Sequence, residues 1–201
     1  MFTKKDLYFS ITTGFITGFI AWQIFVFLNL SEFAGVSYAW LMVLVPFLWV
    51  LGVNLGYFLG RWLVFFNQFG KFAAVGFTNA AVYFGILNIL IACSDINKGF
   101  WYSVFVAAAF IVGTTHSYFW NKFWVFKATE QEIGGVEFGK FLGVSMIAGL
   151  INVGVASGVV NLIHPLFELT LNQWANVGGV AGSAVALAAS FMGFKLIVFK
   201  K

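Results

Sequence analysis

Six long apolar stretches separated by short polar breaks dominate the chain, at about 7–29, 37–59, 71–93, 101–123, 138–162 and 174–197. Each is close to the roughly 20 residues that a helix needs to cross a hydrocarbon core of about 30 Å. None carries Asp, Glu, Lys or Arg near its midpoint, in keeping with a cost of roughly 2.5–3.5 kcal/mol for a charge at the centre of a membrane helix. Backbone groups in lipid must be hydrogen-bonded within the protein, and the alternation of barrel strands is missing, so the stretches predict helices. The pattern predicts an all-α, polytopic transmembrane bundle of six helices.

A repeat is written over these stretches. Phe69-Gly70-Lys71-Phe72 returns as Phe138-Gly139-Lys140-Phe141 at a spacing of 69, and each copy opens an apolar run. The closing segments, Ser117 to Lys127 and Ser190 to Lys200, align at a spacing of 73, which places a four-residue insertion inside the second copy, where loops tolerate it. Residues 69–127 and 138–200 thus read as two helical hairpins within a domain 68–201. Residues 1–67 read as an N-terminal hairpin with an interfacial connection and, because Tyr57 to Phe65 overlies Tyr118 to Phe126, as a degenerate third copy. Hairpins that leave and return to one side are parallel repeats.

Local signals refine this scheme. Pro46 interrupts the second stretch and predicts a kink. Residues 60–70 read as an amphipathic connection, with Arg61, Asn67 and Gln68 toward water and Trp62, Phe65 and Phe66 toward lipid. Small residues recur every fourth position, as at Gly14 and Gly18, Gly52, Gly56 and Gly60, and Gly178, Gly182 and Ala186. Such stripes allow close helix packing or leave room for a lipid chain. The one plainly polar segment, Ala128 to Glu137, predicts a soluble linker.

Composition sharpens the class. Hydrophobic residues make up 61% of the 201 and charged residues 9%, against roughly 25% charged in soluble domains, so the chain is an integral membrane protein and no nucleic-acid partner is expected. Ten of the eleven lysines and arginines fall on one side of the six-span scheme and only Lys98 on the other. The positive-inside rule then predicts a multi-pass protein of the cytoplasmic membrane with both termini in the cytoplasm. The first stretch follows Lys4 and Lys5 but is too long for a signal-peptide core, so it is expected to be retained. A single cysteine, Cys93, excludes an internal disulfide and a thiolate metal cluster.

Candidate chemistry lies at the lysine-rich helix ends and at polar positions deeper in the stretches. Lys71, Lys122, Lys140 and Lys195 occupy equivalent ends; they serve topology and snorkelling, or they hold a phosphate headgroup between helices. Tyr118, Trp120, Asn121 and Trp124 beside Lys122 suit a sugar phosphate as well as an interface belt. Deeper lie Asn79 and Tyr83, one turn apart, together with His116 and Asn152. His116 reads as a proton-coupling group or as a neutral histidine bonded to a neighbouring helix. His164 and Glu168 supply too few ligands for a metal. No phosphate loop, paired membrane carboxylates or histidine cluster is present, so no catalytic residue, metal or cofactor is expected and the chain is not read as an enzyme.

The run Phe69-Gly70-Lys71-Phe72 with Gly76 and Asn79, followed by Ser117-Tyr118-Phe119-Trp120-Asn121-Lys122-Phe123-Trp124-Val125-Phe126, resembles the GtrA-like family over about residues 68–200. The resemblance implies a role in cell-surface polysaccharide synthesis, in which polyprenyl-phosphate-linked monosaccharides are translocated across the cytoplasmic membrane beside a membrane glycosyltransferase. The family's basic and amide positions carry over as Asn121 and Lys122, with Lys71 opening the preceding helix. This chain departs from the family pattern at Tyr83, where an Asp is expected, and at His116, where Asn is usual.

The expected function is flippase-like movement of a polyprenyl-phosphate sugar. Lys71, Asn121, Lys122, Lys140 and Lys195 would hold the phosphate, and Asn79, Tyr83, His116, Tyr118, Trp120 and Asn152 would line the headgroup path. The alternative is a non-transporting scaffold for a glycosyltransferase. Expected partners are the lipid-linked sugar, membrane lipids, a membrane glycosyltransferase and a second copy of the chain.

Overall fold

The computed structural model describes residues 2–32, 35–125 and 135–193, the side chains of 135–141 and 190–193 excepted. Within them the chain is all-helical. The helices are α1 (Lys4–Phe27), α2 (Leu41–Leu59), α3 (Phe66–Ser94), α4 (Gly99–Trp120), α5 (Gly135–Leu162) and α6 (Leu171–Gly193). A 3-10 turn, Tyr38–Trp40, leads into α2, and a π-helical turn, Asn121–Val125, extends α4. Five of these segments are long and apolar enough to cross a membrane by length and composition. The sixth helix, α6, opens with Asn172, Gln173 and Asn176 and continues largely in Gly and Ala.

Two compact packing units divide the helices, and the cuts fall inside α3 after Gly85 and inside α4 after Val112. One unit holds residues 1–85 and 113–128, the other 86–112 and 129–201. The N-terminal hairpin therefore shares a unit with the first half of α3 and the last turns of α4. These packing boundaries follow different lines from the sequence division at 67/68.

On α1, in the first unit, the usual amphipathic order is inverted, as a lipid solvent demands. Asp6, Ser10, Thr13, Gly14, Thr17 and Gly18 are buried, while Leu7, Tyr8, Ile11, Phe15 and Phe19 are exposed. The spacing of three and four puts the small and polar positions on one face, and that face packs inward. Gly14 lies against the backbone of Pro46, and Gly18 against Leu41 at the start of α2. A threonine ladder continues the seam, since Thr17 Oγ1 bonds Thr78 Oγ1 of α3 at 2.9 Å.

Glycines also bring α2 and α3 together. A Cβ on Gly70 would stand 2.9 Å from the Gly52 carbonyl oxygen, and one on Gly56 would stand 2.8 Å from that of Phe66. The Phe-Gly-Lys-Phe motif thereby acquires a local explanation: Gly70 allows close approach, Lys71 turns inward, and Phe69 and Phe72 remain exposed. The connection before it differs from expectation. Helix α3 already begins at Phe66, and Asn67 turns back onto Gly60 rather than toward water.

The second unit is built from the end of α3, the start of α4, and α5 with α6. Gly182 approaches the Asn152 carbonyl oxygen, a Cβ there standing 2.5 Å away, and Gly178 approaches that of Ala156 at 2.9 Å. Its buried polar groups pair internally. Asn88 and Asn176 exchange two side-chain hydrogen bonds of 2.8 Å, Tyr102 donates to the Ala175 carbonyl at 2.7 Å, and Ser157 donates to Ser103 at 2.7 Å.

Candidate functional site

Four helix ends of the first unit converge on one carboxylate. Thr3 caps α1 and places Asp6 in its first turn, each bonding the other's backbone N–H in a capping box. Asp6 is 1% exposed and Lys71, in the second turn of α3, 3%. The Lys71 ammonium lies 2.6 Å from Asp6 Oδ1, which also accepts from the Trp124 indole N–H at 3.0 Å. Oδ2 accepts from the Thr3 amide at 3.0 Å, the Thr3 hydroxyl at 2.8 Å and the Tyr57 hydroxyl at 3.1 Å. With five donors on two oxygens the carboxylate is saturated.

Apolar packing encloses this group. Val53, Ala74, Val75, Trp124 and Val125 form a buried cluster, flanked by Phe2, Phe9, Trp49, Tyr57 and Trp120. Phe9 meets Trp120 and Trp124 edge-on, at centroid distances of 5.3 and 5.8 Å. The π-helical turn carries Trp124 into that cluster, and the Ser117 carbonyl above it accepts from the side-chain amide of Asn121 at 2.9 Å. Lys71 is therefore not the exposed rim cation that its place at a helix end suggested: its charge is matched within the protein.

A second group lies on α3 and the end of α4. A Cβ on Gly113 would come 2.9 Å from Asn79 Oδ1 and 3.5 Å from Tyr83 Cβ, so Gly113 permits these side chains to sit against α4. One turn further, His116 Nε2 accepts from the Trp120 indole N–H at 2.8 Å. The expected partner on a neighbouring helix is replaced by one on the same helix, because a spacing of four puts the two side chains beside each other on one face. With Nε2 accepting, the neutral imidazole carries its proton on Nδ1. Asn79 Oδ1, His116 Nδ1 and Asn121 Oδ1 are buried without a hydrogen-bond partner among the described residues. Asn121 holds its amide nitrogen to Ser117, which leaves the oxygen as its free acceptor.

The other predicted positions are dispersed. Lys122 is half-buried on the π-helical turn, 5.9 Å from the Tyr118 ring and 5.8 Å from that of Phe123, while Tyr118 is half-buried and also meets Phe119. Asn152 belongs to the second unit, where it donates to Ser183 at 3.2 Å. Lys140 lies on α5 with its side chain outside the described residues; Lys195, most of the acidic linker and most of the closing segment of the second copy also lie outside them. Among the described residues no three His, Cys, Asp or Glu gather as a metal site.

Asp6, Tyr57 and Thr3 are the site residues that sequence reasoning missed. The first apolar stretch opens at about residue 7, which leaves Asp6 just outside it. Two signals pointed inward: the Thr3-x-x-Asp6 capping pattern, and the continuation of Asp6 through Ser10, Thr13 and Thr17 along one helical face.

Long apolar helices, an inward polar face and an outward aromatic and aliphatic surface define a multi-pass helical membrane protein. The family described as "GtrA/DPMS, transmembrane domain" matches residues 71–199, and the chain belongs to it. It is thus a membrane protein of polyprenyl-phosphate-sugar processes, carrying a domain that is generally non-catalytic. Neither a curated protein nor a solved structure matches the chain.

Proposed function

We propose that the chain translocates a polyprenyl-phosphate-linked monosaccharide across the cytoplasmic membrane, with both termini on the cytoplasmic side. Lys71 and Lys122 serve the phosphate. Asn79, Tyr83, His116, Tyr118 and Trp120 serve the headgroup path. The observation that carries the reading is a set of buried polar atoms on α3, α4 and the π-helical turn that have no partner among the described residues: acceptors at Asn79 and Asn121 and a donor at His116. A buried polar group without a partner costs about 1–3 kcal/mol, and sugar hydroxyls, which donate and accept, relieve that cost at all three.

The test is translocation of a polyprenyl-phosphate sugar by the purified chain in liposomes, read as the headgroup's accessibility to a membrane-impermeant oxidant. Asn79→Leu and His116→Leu should each slow translocation by about tenfold or more, the effect expected when roughly 1.4 kcal/mol of headgroup contact is removed, while retaining the helical spectrum. Wild-type rates in both variants would overturn the proposal.

A scaffold for a membrane glycosyltransferase is the second reading. The space beside Gly154 and Gly158 on α5, which no described residue fills, favours it, since a partner helix could pack there. Translocation by this chain alone, without a transferase, would rule it out.

A further inference from the structure

Asp6 comes from outside the family-matched segment, whereas Lys71 and Trp124 lie inside it. The cation belongs to the shared domain and its counter-ion to the N-terminal hairpin of this chain. What surrounds the carboxylate is an ammonium, an indole N–H, a phenol hydroxyl, and the hydroxyl and amide at a helix start. That donor set is also what the oxygens of a phosphate group require, since charge-assisted hydrogen bonds to an oxyanion are the strong ones.

We infer that Asp6 is an internal stand-in for a phosphate group, occupying the anion site on Lys71, Trp124 and Tyr57 and yielding it when a phosphate-bearing ligand enters. The inference rests on the reading of Lys71 as a phosphate-binding residue and adds to it a resident competitor. The hairpin is then the gate of the site: the empty carrier keeps Lys71 neutralised instead of leaving a bare cation among aromatic rings, and loading exchanges one anion for another.

Two further observations support the exchange. Ser10, one turn along the same face of α1, is fully buried and its hydroxyl has no partner among the described residues, so a donor stands unused one helical turn from Asp6. Asp6 also sits in the first turn of α1, where backbone N–H groups have no intrahelical acceptor, beside the exposed Thr3, Lys4 and Lys5. Withdrawing the carboxylate needs that one turn to open and leaves the rest of α1 in place.

The experiment is thermal unfolding of the full-length Asp6→Ala protein in detergent micelles at constant ionic strength. Three arms use added chloride, inorganic phosphate, or a polyprenyl monophosphate mixed into the micelle. Without a phosphate ligand the variant should melt below wild type, because Lys71 has lost its counter-ion. A phosphate group filling the vacancy should restore the melting temperature, at concentrations about tenfold below those that stabilise wild type, since wild type must first release Asp6. Rescue by inorganic phosphate identifies the phosphate group alone as sufficient. Rescue by the polyprenyl ester only assigns the lipid as the source. Adding Lys71→Met should abolish either rescue. If Asp6→Ala does not fold, Asp6→Asn keeps the side-chain volume and carries the same comparison.

Equal response to chloride and to both phosphates, in whichever variant folds, would overturn the inference and leave Asp6 as a structural ion-pair partner. Rescue with no translocation in liposomes would overturn the transport reading and leave the anion exchange standing. Translocation without rescue would do the reverse.

Discussion

At the residue scale, the Asp6–Lys71 pair governs the first packing unit. Removing one member of a buried pair leaves an uncompensated charge and costs roughly 3–5 kcal/mol. Lys71→Met is therefore expected to lower stability by about that amount in reversible unfolding from mixed micelles. The double variant Asp6→Asn with Lys71→Met should lose less than the two single variants together, with a coupling of about 1–3 kcal/mol. Strict additivity would show that the 2.6 Å contact contributes nothing as a pair. Lys122 offers the contrast. It faces two aromatic rings at nearly 6 Å, where the attraction is only about 0.5–1 kcal/mol, so Lys122→Gln should cost no more than that in stability and its main effect should appear in lipid-phosphate handling.

At the element scale, two glycines of the α2–α3 crossing make opposite predictions. A Cβ on Gly52 meets nothing within 4 Å, whereas one on Gly70 meets the Gly52 carbonyl at 2.9 Å. Gly52→Ala should therefore be tolerated, and Gly70→Ala should destabilise by about 1–3 kcal/mol through overpacking against backbone that cannot move aside. Thermal unfolding of the two variants side by side checks this, and equal melting temperatures would place the crossing elsewhere.

The elements themselves were largely legible, because runs without central charge have few alternatives to membrane helices. Their ends were less so. Helix α3 starts at Phe66 rather than 71, since the Leu63-Val64-Phe65 turn already feeds a helix, and the π-helical turn at Asn121 has no hydropathy signature at all. Family motifs mark Lys71, Asn121 and Lys122 in the sequence, and of these three the structure places Lys71 on the buried carboxylate. The site was hidden at Asp6, because charge at the edge of an apolar run reads as solvated until the facing helix is known.

At the scale of the whole molecule, the cation asymmetry makes a prediction about sidedness. Cys93 is the only cysteine in the chain and it is exposed near the end of α3, so it is a natural probe of the side opposite the lysine-rich helix ends. A membrane-impermeant maleimide applied to intact cells is expected to label Cys93 from outside, and a Cys93→Ala, Thr3→Cys variant only after permeabilisation. The reverse pattern would invert the orientation that the ten-to-one distribution of Lys and Arg implies.

The position of Asp6 also has a consequence for biogenesis. Chains emerge N-terminus first, so α1 and α2 leave the ribosome with an acid at their end while the lysine that neutralises it has yet to be synthesised. Until α3 arrives, Thr3 and Tyr57 are the site's only donors available to that charge besides water. The entry of Lys71 is then the event that fixes the nascent hairpin in place, and a ribosome stalled before α3 would hold a hairpin still open to quality-control proteases.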